Sequence, residues 1–215
     1  DENTVKVYVW HNMNDMIPAA EPTEVTSTEN PNKVPEGYTS YFAFEDNLTD
    51  NVTNIDGTTV GSKANLAASS STASYAEGYN GKAVSFTGNG SDGVNLGKVI
   101  TNSSYTVSFK MKANEFTQHT AGIFIDADGG TKWISAPIGW QTGGKLMIWS
   151  NNGSGYIDNV SNYTAQTNKW YQITIATEGE NSTMYVDGVN VGSGKIADVI
   201  NENTDTYLAV NYWDT

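Results

Sequence analysis

The 215-residue chain contains no cysteine. Disulfides, zinc-thiolate centres and thiol nucleophiles are therefore excluded. Basic residues are scarce, 11 against 24 acidic, which leaves a net charge of −13 and a pI near 4.3. Such a chain repels phosphate backbones and anionic headgroups, so nucleic acid and membrane surfaces are excluded as partners. The acidity suits a soluble protein or one that holds a cation. No apolar run approaches the roughly 18 residues of a membrane-spanning helix, which argues against membrane insertion. The N-terminus lacks the basic-then-apolar layout of a signal peptide, so the chain is expected to be mature or an excised fragment. Only two histidines occur, His11 and His119. Neither has a patterned Ser or Asp partner, which rules against a triad or a multi-histidine metal site.

What is present is aromatic and β-branched, in short runs separated by Gly, Asn, Ser and Thr. This is the texture of a sandwich or barrel, and no helical periodicity competes with it. Thr4–Trp10 reads TVKVYVW, a strand with Val5, Val7 and Val9 on one face and no nearby hairpin partner. Four of the five prolines lie between residues 18 and 37. Residues 19–37 accordingly read as a linker, or else as an ordered arm laid across the next domain. Strands are then expected at 38–44, 82–86, 104–113, 121–126, 132–138, 145–150, 169–177, 183–188 and 206–213. In the third of these, Tyr105, Val107, Phe109 and Met111 alternate with Thr106, Ser108 and Lys110. The pattern predicts one core face and one polar face. Tyr171, Ile173 and Ile175 repeat it, and Asp187-Gly188 is a two-residue hairpin turn.

Several of these segments together resemble the laminin-G-like or concanavalin A-like jelly roll that occurs as an accessory module in bacterial glycoside hydrolases and adhesins. The likeness is carried by Tyr41–Asp50 (YFAFEDNLTD), Gly81–Phe86 (GKAVSF), Ser104–Lys112, Lys169–Ile175 (KWYQITI) and Met184–Gly192 (MYVDGVNVG). It implies an all-β, two-sheet antiparallel sandwich over 38–215. It also implies a secreted or cell-surface bacterial setting, with neighbouring modules in a parent protein. The segment VKVYVWHNMNDMIPAAE resembles the last strand of a different small β-sandwich in polysaccharide-degrading enzymes. Residues 1–18 thus read as the terminal strand of a preceding module or as an N-terminal arm. Family members continue past a strand like YLAVNYW to a closing strand that this chain lacks. Three explanations are open: the protein continues, a strand comes from another piece, or the N-terminal strand fills the gap.

The chemistry expected is binding. No strand carries the alternating acidic residues of a retaining glycosidase. Glu45 and Asp46 are adjacent and so face opposite ways, while Glu178 and Glu180 lie in a polar turn. Scattered lysines do not form the basic cluster of a polysaccharide lyase, and Gly129-Gly130 and Gly143-Gly144 are turns. Glu45, Asp46, Asn47 and Asp50 concentrate the hard oxygen ligands that Ca²⁺ favours, and the family resemblance implies a structural Ca²⁺ near this strand. Asp126 and Asp128 begin a similar loop without completing it. Residues 133–163 combine flat aromatic faces with amides and carboxylates, as sugar recognition requires. The expected sugar contacts are Trp140, Trp149 and Tyr156, then Trp133 and Trp213, with Asn211, Asp158 and Gln141 as hydrogen-bonding groups. With Leu146 and Ile148 inward, Trp149 falls on the open face, whereas Trp170 is assigned to the core. The expected function is a non-catalytic module that holds an attached enzyme on a polysaccharide or oligosaccharide. The alternatives are an adhesion or spacer module and, more remotely, a glycoside hydrolase.

Overall fold

The computed structural model describes residues 3–10, 30–61, 71–87, 92–116, 120–126, 134–152 and 156–210. The described residues form strands joined by turns, without a helix. In chain order the strands are β1 (Asn3–Trp10), β2 (Tyr38–Phe42), β3 (Thr58–Val60), β4 (Ser74–Glu77) and β5 (Lys82–Phe86). There follow β6 (Gly93–Gly97), β7 (Ser104–Lys112), β8 (Thr120–Asp126), β9 (Ile134–Gln141) and β10 (Lys145–Asn152). The last are β11 (Tyr156–Thr164), β12 (Trp170–Glu178), β13 (Asn181–Val186), β14 (Val189–Lys195) and β15 (Asp205–Leu208).

Two antiparallel sheets result. One runs β14-β13-β12-β7-β1-β5-β4, with β2 also paired to β1, and the other runs β11-β10-β9-β8-β15-β6-β3. They stack because each contributes one apolar face. From the first come Tyr105, Val107, Phe109 and Met111 of β7 and Tyr171, Ile173 and Ile175 of β12. From the second come Ile123, Ile125, Ile138, Leu146, Ile148 and Leu208. Burying a row of such side chains on both sheets is what holds a sandwich together. The sheets approach closely at Gly122 of β8, where a Cβ would come within 2.9 Å of the Phe109 ring on β7. Asp187 and Gly188 form the β13–β14 hairpin with positive φ at both residues (50° and 78°), which is the conformation a two-residue primed turn demands. The all-β sandwich predicted from alternation is therefore the fold observed.

One expectation needs amendment. The row opposite the core on β7 and β12 is polar but not solvent-exposed: Thr106, Ser108 and Thr174 are all buried. Ser108 Oγ lies 2.8 Å from Thr174 Oγ1. β1, which has no hairpin partner nearby in sequence, is an interior strand of the first sheet. It pairs with β7 on one side and with β5 and β2 on the other. At the end of the stretch read as a linker, residues 30–37 are held to the sandwich. The Tyr41 hydroxyl donates to the Pro31 carbonyl at 2.6 Å, and Asn51 Nδ2 donates to Asn32 at 3.3 Å.

The turn after β2 is fixed by a buried carboxylate. Asp50 Oδ1 accepts from the backbone N–H groups of Tyr41 and Val52, both at 2.9 Å. Its Oδ2 accepts from Ser40 Oγ at 2.6 Å and Thr53 Oγ1 at 3.0 Å. Four donors satisfy the charge where water cannot reach it. Removing the carboxylate strands all four, so Asp50→Ala should lower unfolding free energy by about 3 kcal/mol in urea titration. A second expectation concerns Tyr105, whose burial pushes its phenol up to about 12 from the ordinary 10. The folded chain keeps this proton more tightly than the unfolded one. The stability it contributes is whole below pH 10 and is lost as pH rises through 12. Urea melts between pH 9 and 12 should therefore fall less steeply for Tyr105→Phe than for the parent chain, and identical slopes would refute the assignment.

Candidate functional site

The sequence-predicted residues separate once placed in the fold. Trp140 belongs to the core: it is 1% exposed, on the inward row of β9 opposite Leu146. It cannot serve as a surface platform, which corrects the expectation. Trp149 does lie opposite in parity to Leu146 and Ile148, yet it is only 4% exposed, so the face it occupies is not open there. Tyr156 and Asp158 are on β11, paired with Asn151 and Trp149 respectively. Gln141 ends β9, half-buried, opposite Lys145. Trp133, Asn211 and Trp213 lie outside the described residues.

The expected Ca²⁺ ligands are each engaged by protein donors. Asp50 is committed to its four donors, and Asp46 pairs with the Lys82 ammonium. Glu45 Oε1 accepts the Lys82 backbone N–H at 2.9 Å. Asn47 Oδ1 is taken by the Thr49 N–H at 3.0 Å. Among the described residues no three His, Cys, Asp or Glu side chains gather as a cation site. Asp126 ends β8, and Asp128 is outside the described residues. Glu178 and Glu180 are solvent-exposed, with Glu180 3.7 Å from Lys195.

Among the described residues, a concave feature lies where the two sheets meet edge to edge. β11 is the edge of the second sheet and β14 the edge of the first, and the two strands touch. Between them is an open cleft of about 390 Å³, lined by Asn162, Tyr163, Asn190, Val191 and Gly192. Tyr163 falls within the aromatic stretch 133–163, whereas the asparagines carry no signal in the sequence, because the two strands are brought together only by the stacking of the sheets. Gln141 is near: it faces Lys145, which in turn faces Thr164 on β11.

Tyr163 is anchored from behind by aromatic rings. Its centroid lies 5.8 Å from Tyr171 in a T-shaped contact and 6.4 Å from Trp140. Trp140 also meets Tyr171 at 5.6 Å and Phe116 at 5.8 Å. These edge and tilted geometries are the favoured ones for quadrupolar rings. Loss of solvent, then the neighbouring Tyr171 hydroxyl, push the Tyr163 phenol up to about 12. Tyr163 is thus a neutral hydroxyl at any physiological pH. Tyr171 in turn accepts the Gln166 backbone N–H at 2.8 Å, which completes a fixed polar chain behind the cleft.

The asparagines are held differently. Asn190 Oδ1 accepts the Gly192 N–H at 3.0 Å, leaving its amide NH₂ as a donor at the exposed rim. The Asn162 carbonyl receives Lys145 Nζ at 3.2 Å, while its side chain is exposed. The cleft therefore combines an apolar floor at Val191, one rigid aromatic and two side-chain amides. Its chemistry suits a neutral, hydroxyl-rich ligand and offers nothing to stabilise a strong charge.

Comparison with known proteins agrees with the fold. No curated protein sequence matches the chain. Among solved structures, domain 4 of AbnA, a GH43 extracellular arabinanase from Geobacillus stearothermophilus, in complex with arabinotriose, is 28% identical. Its TM-score is 0.65, over 79% of this chain and 81% of that one. Carbohydrate-binding module CBM66 from Bacillus subtilis is more distant, with 13% identity and a TM-score of 0.43 over 63% and 83% of the two chains. Domains LG4-5 of the mouse laminin α1 chain are 16% identical with a TM-score of 0.39, over 51% and 29%. The laminin-G family model described as the concanavalin A-like lectin/glucanases superfamily matches residues 87–215. With that match covering more than half of the chain and the two-sheet sandwich agreeing with it, the protein belongs to the concanavalin A-like lectin/glucanase superfamily.

Proposed function

We propose that this chain is a non-catalytic carbohydrate-binding module of an extracellular polysaccharide-degrading protein, and that the β11–β14 cleft takes a sugar residue. The reading is carried by the 28% identity, over four fifths of both chains, to an arabinanase domain in complex with arabinotriose. The chemistry of the cleft supports it independently. Sugars offer weakly apolar C–H faces and rings of hydroxyls. Tyr163 supplies a flat face and a neutral hydroxyl, and Asn162 and Asn190 supply amides that pair with vicinal hydroxyls. Rigid aromatic backing means that little conformational entropy is lost on binding. The acidic surface favours neutral polysaccharides such as arabinan over uronic-acid polymers. The engagement of the carboxylates singled out in the sequence supports binding without chemistry. Glu45 and Asp46 are tied to Lys82, Asp50 is buried under four donors, and Glu178 and Glu180 stand in solvent.

The test is affinity electrophoresis on gels containing arabinan and a panel of other plant polysaccharides, with calorimetry on arabinotriose. Retardation on at least one neutral polysaccharide is expected. Asn162→Ala and Asn190→Ala should each weaken binding about tenfold, equivalent to about 1.4 kcal/mol, with melting temperatures unchanged within a few degrees. Absence of retardation on every polysaccharide would make the module a spacer. Full binding by both variants would move the sugar elsewhere on the surface, and release of reducing ends would overturn the non-catalytic reading.

A further inference from the structure

β1 is joined to the sandwich by backbone pairing rather than by its connection. Its residues Thr4–Trp10 pair with Lys112–Thr106 of β7. On the other edge, Asn3–Val5 pair with β5 and Val7–Trp10 with β2. Trp10 is the partner of Tyr38, so the ends of β1 and β2 lie side by side. A hairpin of that geometry needs a loop of only about two to five residues. Here residues 11–37 intervene, a connection many times longer than the turn requires.

The place β1 occupies is a slot with its own specification. Without it, β7 on one side and β2 with β5 on the other would face each other across roughly two strand spacings, about 9.6 Å. Both would present rows of unpaired N–H and C=O groups. The β7 residues opposite Val5, Val7 and Val9 are Met111, Phe109 and Val107, all core. Those opposite Lys6, Tyr8 and Trp10 are Lys110, Ser108 and Thr106. An occupant must therefore run antiparallel to β7 and alternate apolar, β-branched residues with polar or amphipathic ones, as TVKVYVW does. Its backbone would supply the affinity and its alternation the specificity, which is the logic of strand addition.

We infer that β1 is an exchangeable strand, and that the slot between β7 and β5 accepts β1 of a second copy of this chain in place of its own. With residues 30–37 held to the sandwich, the remaining connection is residues 11–29, and a segment of that length reaches about 60 Å when fully extended. That reach carries β1 to a neighbouring molecule. Within one chain the tether favours the chain's own strand, because it holds β1 at a high effective concentration. Exchange is therefore expected to grow with protein concentration and with mild denaturant that opens the slot.

Because the chain has no cysteine, crosslinking gives a clean readout in the full chain. Tyr8 and Ser108 are register partners. A chain carrying both Tyr8→Cys and Ser108→Cys should oxidise to a crosslinked monomer, which checks that β1 sits in the slot. Chains carrying Tyr8→Cys alone and Ser108→Cys alone, mixed in about 1 M urea, diluted and oxidised, should give a disulfide heterodimer. Its yield should rise with concentration and exceed several-fold that from a Glu178→Cys control chain. Heterodimer no more abundant than with the control would overturn exchange, and failure of the double variant to crosslink would overturn occupancy of the slot itself. Neither readout uses a sugar, so the result stands apart from the fate of the binding proposal.

Discussion

Strand β7 is hydrogen-bonded along its length on both sides, to β12 and to β1, and its inward row lies at the middle of the core. Tyr105, Val107, Phe109 and Met111 are at most 4% exposed. The remaining architecture answers to this strand. β12 repeats its alternation in matched register, Ile173 opposite Phe109 and Ile175 opposite Val107. The second sheet closes over it closely enough that only glycine fits at position 122. A register slip of one residue in β7 would turn every core side chain to the wrong face. That constraint explains why the sequence is most regular here and most permissive at the sheet edges.

Legibility in the sequence follows the same gradient. β7 and β12 are legible nearly to the residue because β-branched and aromatic residues alternate there with polar ones, and β5 and β10 because they are short apolar runs bounded by polar residues. β11 and β14 are not, since YIDNVSNYT and VNVGSGK carry Asn, Ser and Gly where a central strand would carry Val or Ile. These are edge strands, for which packing demands less. β3, β4 and β6 escape notice for being short, at three to five residues each. The buried position of Trp140 does have a signal in the sequence. Continuing the alternation of β9 two residues past Ile138 places Trp140 on the inward row. Trp149 shows the limit of parity: alternation says which face a side chain occupies and nothing about whether that face is covered. The acidic turn is a related case. Composition suggests a cation cage, while the tertiary fold supplies Asp50 with four protein donors and Asp46 with a lysine.

The surface cations illustrate how few positive groups the chain has available. It has 11 basic residues in all, and two of the lysines on β7 lie over aromatic rings. Lys110 Nζ is 3.7 Å from the Tyr79 centroid, and Lys112 Nζ is 5.3 Å from that of Trp170. Burial lowers the Lys110 ammonium below its ordinary range, with Asp187 opposing that shift. Lysines used in this way brace the polar face of the first sheet, and they are not grouped for recognition of an anion.

The seam between β11 and β14 has a mechanical meaning beyond the cleft it forms. Stacked sheets resist separation through their whole core but resist sliding mainly where their edges lock. A ligand seated between Asn162 on one sheet and Asn190 on the other spans both layers at once, as a rivet does across two plates. Occupancy would couple the two layers and stiffen the sandwich against shear between them.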